Sequence, residues 1–170
     1  MAKSMPFSFG RAKFGDAPEL ARLHTTVAYE LTRLHGRGPW SSQTSEKGVL
    51  FAMRSSQVFV AREAGEIVAT LRLTTRKPWA IDIKYFTNCR SPLYLIAMAV
   101  TPAKQRQGIG RLCLEEAKVL ARAWRADTLR LDAFDAAAGA GGFYSSCGFT
   151  EVGRATYRNA PLIYFEFLLG

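Results

Sequence analysis

The seven residues Tyr94-Leu95-Ile96-Ala97-Met98-Ala99-Val100 form a nearly unbroken apolar run. They lead at once into Thr101-Pro102-Ala103-Lys104-Gln105-Arg106-Gln107-Gly108-Ile109-Gly110. A helical pattern follows, with Leu112, Cys113, Ala117, Leu120, Ala121 and Trp124 on one side. A strand that is apolar on both faces belongs in the interior of a sheet covered on both sides. Strand, glycine loop and long helix in immediate succession therefore fix the centre of the fold: a buried strand whose C-terminal end opens onto a helix N-terminus.

That helix N-terminus is a site for an anion. The first turn of a helix leaves its backbone NH groups without intrahelical partners and carries the positive end of the helix dipole. Gly108 and Gly110, lacking Cβ atoms, let the backbone approach a diphosphate and adopt dihedrals that other residues avoid. Lys104, Arg106 and Arg111 add positive charge beside the loop. There is no Gly-Lys-Ser/Thr, as a Walker loop requires, and no GxGxxG, as a dinucleotide fold requires. The pattern is Gln-x-x-Gly-x-Gly, which alone reads equally well as a tight strand-to-helix turn.

Upstream, Phe7 to Phe14 alternates weakly, and Asp16-Ala17-Pro18-Glu19 supplies an N-cap with proline and acid in the first turn. Leu20, Leu23, Val27, Leu31 and Leu34 predict a helix to about Arg33, closed by Gly36 and Gly38. Ser42 or Thr44 would cap a second helix running through Met53. Val58–Arg62 and Ile67–Thr74, joined around Ala64-Gly65, predict a hairpin. Lys77 to Pro92 has no clean period and reads as a long connection. Downstream, Thr128–Asp132 predicts a strand, Gly141–Cys147 a short helix, and Phe149–Tyr157 with Leu162–Leu168 a closing hairpin. No repeat or linker interrupts residues 1–170, so one domain is expected.

Composition narrows the function classes. Twenty-three basic against fourteen acidic residues give a net charge of +9, which favours anionic ligands. The basic residues are scattered and match no nucleic-acid-binding pattern, so nucleic acid is disfavoured as a partner. Cys89, Cys113 and Cys147 are too widely spaced for a CxxC zinc site, and the only histidines are His24 and His35. Free thiols and no metal are expected. No stretch approaches the roughly 18 apolar residues of a membrane helix, and the opening MAKSMPFSFG lacks a leader's charged and apolar regions. A cytoplasmic protein without membrane contact is expected.

Val100, Pro102, Gln105, Gly108 and Gly110 match, in register, the string V-x-P-x-x-Q/R-x-x-G-x-G/A. Phe143-Tyr144-Ser145-Ser146-Cys147-Gly148-Phe149 matches F-Y-x-x-x-G-F at the expected distance downstream. In both respects the chain resembles the GNAT superfamily of acyl-CoA-dependent N-acetyltransferases. The resemblance implies an α+β fold: a mostly antiparallel central sheet with splayed parallel central strands, flanked by helices. It implies acetyl-CoA as cosubstrate, its pantetheine arm along Met98, Ala99 and Val100, its diphosphate on the amides of Gln105, Arg106, Gln107, Gly108, Ile109, Gly110 and Arg111. It implies Tyr144 as the acid that protonates the departing thiolate, although a core aromatic beside Phe143 and Phe149 is the alternative. Many relatives carry an asparagine seven residues before this tyrosine, where Ala137 stands here. Homodimers are frequent in the family, and the sequence shows no self-complementary patch.

The implied reaction is direct attack of a neutral amine on a thioester. An amine of pKa about 10.4 is mostly charged at pH 7, and deprotonating it costs roughly 4–5 kcal/mol, so a base is expected. Glu30, Asp82, Asp132 and Asp135 are the candidates. Trp40, Trp79, Tyr85 and Phe86 could wall an amine pocket, and His35 reads as a helix C-terminal residue. Acceptor contacts are expected from Glu30–Trp40, Trp79–Tyr85 and Tyr157–Asn159. The acceptor itself is a small-molecule or protein amine. Two other readings stand beside transfer: a GNAT-fold protein that binds acyl-CoA without turnover, and a basic nucleic-acid-binding protein.

Overall fold

A computed structural model describes residues 7–170, so most of the stretch read for a leader lies outside the described residues. Seven strands form one sheet: β1 (Phe7–Arg11), β2 (Gln57–Glu63), β3 (Glu66–Thr74), β4 (Pro92–Val100), β5 (Thr128–Phe134), β6 (Thr150–Tyr157) and β7 (Ala160–Leu168). Their spatial order is β1-β2-β3-β4-β5-β7-β6. Every pairing is antiparallel except β4 with β5. The α-helices of the described residues are α1 (Ala17–His35), α2 (Glu46–Ser55), α3 (Ile109–Ala123) and α4 (Gly141–Ser146).

The sheet is covered on both faces, as the apolar β4 run requires. One face packs Leu71, Leu73, Leu95, Leu129 and Leu131 against Cys113, Leu114 and Ala117 of α3. The other packs Val58, Val60, Ile67 and Ala99 against Leu20 and Leu23 of α1 and Val49 of α2. α3 is the crossover that any parallel pair needs. Its apolar side differs from the sequence pattern at two places. Trp124 lies at the C-cap, 38% exposed. Lys118 is buried instead, with Nζ donating to Glu115 at 2.8 Å and to the Cys147 carbonyl at 2.9 Å, and lying 4.2 Å from the Phe167 ring centre.

Local chemistry places the elements. α1 begins at Ala17-Pro18 after Asp16 and stops at Gly36, whose φ of 81° suits a residue without Cβ. α2 starts later than Ser42 or Thr44 would place it: Ser45 is the cap, its Oγ accepting the Gly48 amide at 3.0 Å. The β2–β3 hairpin turns on Ala64 and Gly65, both with positive φ, the geometry that follows the twist of the strands.

The connection from 75 to 91 contains one 3-10 turn, Ile83–Tyr85. Its order comes from long-range bonds. Arg130 donates to the Thr87 carbonyl at 2.7 Å, the Tyr164 hydroxyl donates to the Ala80 carbonyl, and the Asp127 carboxylate accepts the Arg90 and Ser91 amides. Ile81 and Phe86 thereby join Tyr94, Leu162 and Tyr164 in a third apolar cluster.

Candidate active site

β4 and β5 pair over only three residues, Pro92 with Thr128, Leu93 with Leu129 and Tyr94 with Arg130. Beyond them the strands separate. An extra residue in β4 shifts its register with β3, and Ala97 takes the left-handed conformation with φ 51°. A bulge of this kind bends a strand and breaks its ladder, so the divergence has its cause in β4 itself. Sequence inspection missed it, because an alanine between two apolar residues carries no bulge signal.

A cavity of about 520 Å³ lies at the divergence. Met98, Ala99 and Val100 of β4 line it, as do Gln105, Arg106, Gly108, Gly110 and Arg111 from the loop and first turn of α3. Tyr144 and Phe143 of α4 and Val27 and Leu31 of α1 complete its wall. Gln107 and Ile109 are not in the wall: Gln107 is exposed, with its side chain donating to the Ala103 carbonyl at 3.3 Å, and the Ile109 side chain is in the core. Ala137, at the slot of the family asparagine, is exposed, and Ala138 and Ala140 line the cavity in its place.

The loop presents donors. The Leu112 amide to Gly108 carbonyl bond, 3.1 Å, is the first of α3. Among the described residues, no backbone carbonyl pairs with the amides of 106–111. Gln105 is different. Its amide bonds the Pro102 carbonyl at 3.3 Å and its side chain donates to the Val100 carbonyl at 3.0 Å, so it closes the loop on β4. Gly108 has φ 83° and open space where a Cβ would stand. Gly110 is glycine for another reason: a Cβ there would meet the Phe143 ring at 3.0 Å, so packing of α3 on α4 demands it. Lys104 is paired with Glu63 at 2.6 Å, and Arg111 donates to the Ser146 carbonyl at 3.2 Å.

Tyr144 is buried, its ring 5.3 Å from Phe143, 5.8 Å from Phe149 and 6.0 Å from Phe165. Its hydroxyl bonds no described residue. Burial pushes this phenol well above its usual range, and the charges of Asp132 and Cys147 push the same way. It therefore holds its proton.

The four carboxylates expected as bases separate sharply. Glu30 is bound by Arg33, Asp82 caps the 3-10 turn and pairs with Lys84, and Asp135 pairs with Arg154. Asp132 has no ion pair among the described residues. It stands on β5 beyond the last residue paired with β4, and burial raises its pKa. The four aromatics do not converge. Trp79 is 84% exposed, Trp40 packs edge-on to Phe134, and Tyr85 and Phe86 pack on Tyr164.

The fold has known counterparts. The family model described as the acetyltransferase (GNAT) domain matches residues 54–151. No curated protein sequence matches significantly. Among solved structures, an N-acetyltransferase from Staphylococcus aureus Mu50 superposes with a TM-score of 0.71 at 15% identity, over 98% of this chain and 100% of its own. A Salmonella typhimurium protein solved with its cofactor acetyl-CoA gives 0.68 at 18% identity, over 98% and 95%. The ribosomal-protein-S18-alanine N-acetyltransferase of Escherichia coli gives 0.69 at 19%, over 96% and 94%. At these identities the likeness is one of fold: a mixed sheet with one parallel pair, flanked by helices.

Proposed function

The chain belongs to the GNAT acetyltransferase family, and on that premise we propose that residues 1–170 act as one cytoplasmic domain that moves an acetyl group from acetyl-CoA to an amine. The observation that carries this reading is the cavity at the β4–β5 divergence, which combines unpaired main-chain amides at one end with a buried, protonated tyrosine in its wall.

The residues present fit the carrier. Amides of 106–111 at the positive end of α3 suit a diphosphate, and the open space at Gly108 lets it approach the backbone. Arg106 adds a charge that no carboxylate among the described residues neutralises. Met98, Ala99 and Val100 offer the free side of β4 to an extended arm. When bound, acetyl-CoA supplies an activated acyl thioester.

This chain's residues do the rest. Tyr144 holds a proton at its hydroxyl for the departing sulfur. Because its pKa is raised, it is a reluctant acid in water, and it serves only where the thiolate is itself poorly solvated. Asp132 takes the proton from the acceptor ammonium, and its raised pKa makes it a stronger base than an exposed carboxylate. The apolar walls from Val27, Leu31 and Phe143 exclude water from the thioester.

The test is release of CoA thiol from acetyl-CoA with and without amines. Release that requires an amine supports transfer. Binding of acetyl-CoA with no release for any amine would reject it. Tyr144→Phe should lower turnover at saturating substrate by about tenfold or more with an unchanged melting temperature.

A further inference from the structure

A second cavity, of about 440 Å³, lies between α1, α2 and the sheet. Its lining on β4 and α1 comes just before that of the first in sequence. Met98 lines the carrier cavity, and Ala97, the bulge residue immediately before it, lines the second. Along α1 the same division holds, with Val27 facing the first cavity and His24, about one turn earlier, facing the second. If the carrier's arm runs along Met98 to Val100, the thioester end lies toward Ala97, and this second cavity offers an acceptor a place beside it.

Its charge balance is unusual. Arg72 of β3, near Ile96 in the register with β4, reaches into it. The guanidinium is half-buried and has one long bond, 3.4 Å to the Ser56 hydroxyl. No described carboxylate lies within ion-pair distance of it, and no aspartate or glutamate lines the cavity. His24 adds no compensating negative charge. Burial first and the Arg72 charge second pull its pKa down to about 4, so it is neutral at pH 7.

An arginine cannot relieve burial by losing its proton, and a fold normally gives a buried guanidinium a carboxylate. Arg72 is only half-buried, yet no described carboxylate is within ion-pair distance of it and a cavity stands there instead. The guanidinium fork matches a carboxylate in two-point geometry. The remaining walls are mixed: Leu20, Val49, Ala52, Val58 and the 69% exposed Phe51 are apolar, while Gln43, Thr44, Ser45 and Ser55 are polar. A polyamine or aminosugar, positive throughout, would meet Arg72 with no acid in the cavity to offset it.

We propose that the acceptor is a small amine bearing a carboxylate, of the size of an α-amino acid, whose carboxylate pairs with Arg72 while its amine faces the Ala97 bulge. This assignment rests on the acyl-transfer reading, and its test separates the two.

Leucine and phenylalanine are compared with isoamylamine and phenethylamine, their counterparts without carboxylate, as acceptors in CoA release, using the wild-type protein, Arg72→Met and Arg72→Lys. Leucine is also titrated calorimetrically into each protein saturated with CoA. Wild type should prefer each amino acid by at least about tenfold in kcat/KM, the worth of one charge-assisted contact. Arg72→Met should lose that preference through a higher KM, keep its rate with isoamylamine and its melting temperature, and give no heat with leucine. Arg72→Lys should recover part of the preference. Turnover of isoamylamine without preference for leucine, or a preference unchanged in Arg72→Met, overturns the carboxylate assignment and leaves transfer standing. Heat with leucine that depends on Arg72, with no CoA release from any amine, upholds the carboxylate site and overturns transfer. Neither heat nor release overturns both.

Discussion

At the scale of single residues, the proposed function rests on groups that the fold holds at a cost. Asp132 is kept partly out of water with no ion pair among the described residues, and burial makes its carboxyl hold a proton more tightly in the folded chain than in the unfolded one. For a carboxyl raised on folding, the stabilising contribution is present at low pH and is lost as pH rises through the folded pKa. Asp132→Asn imitates the neutral form. It should leave the melting temperature at pH 7 equal or higher while lowering kcat by about tenfold or more, as loss of a general base does; thermal denaturation with steady-state kinetics checks both. His24 works in the opposite sense. Its folded pKa of about 4 lies below the ordinary 6.5, so protons favour the unfolded chain, and stability should fall as pH drops from 6.5 toward 4. His24→Gln should flatten that part of the stability curve, which denaturant melts at several pH values would detect.

Element by element, the site depends on where strands end and how loops dock. The turn of β6 and β7 places Arg158 and Asn159 at positive φ, matching the Ala64-Gly65 turn at the other side of the sheet. The long 75–91 connection docks through Tyr85, whose ring occupies the space in front of Gly153 on β6. A Cβ at Gly153 would stand 2.3 Å from a Tyr85 ring carbon. Gly153→Ala should therefore lift the connection and destabilise the protein by about 1–3 kcal/mol, the range for an overpacked contact. Adding Tyr85→Ala should recover part of the loss, and the double-mutant cycle in chemical denaturation measures the coupling.

Much of this level was legible beforehand. β2, β3, β4 and the start of α1 follow period, capping residue and turn chemistry within a residue or two. The cap of α2 did not, because hydroxyls at Ser41, Ser42, Thr44 and Ser45 compete, and only the three-dimensional path leaves Ser45 facing the Gly48 amide while Ser41 accepts from Gly38. The burial of Lys118 was also hidden. Its partners Cys147 and Phe167 come from α4's end and β7, remote in sequence.

Across the whole molecule, the proposed binding of an anionic carrier would draw on both a net charge of +9 and a cluster of amides unpaired among the described residues. Acetyl-CoA at a hundred times its Kd should raise stability by about 2.7 kcal/mol, read as a higher melting temperature. Because part of the attraction is long-range charge, that shift should shrink between 50 and 500 mM salt as screening lengths fall below about 10 Å. A shift insensitive to salt would mean that the amides alone hold the ligand.

The sequence by itself determined the central strand, the glycine loop and the helix behind it, because these depend on neighbouring residues: a run of apolar side chains, a missing Cβ at Gly108, and unpaired amides at a helix start. The paired motifs around Gly108 and Tyr144 likewise specified the family. Only the tertiary structure decided that, among the described residues, Asp132 alone of four carboxylates is left without an ion pair, that Gly110 serves packing, and that Arg72 faces a cavity lined by no described acid beside the Ala97 bulge. Those are properties of groups brought together from distant parts of the chain, and the free energy of a charge depends on what surrounds it.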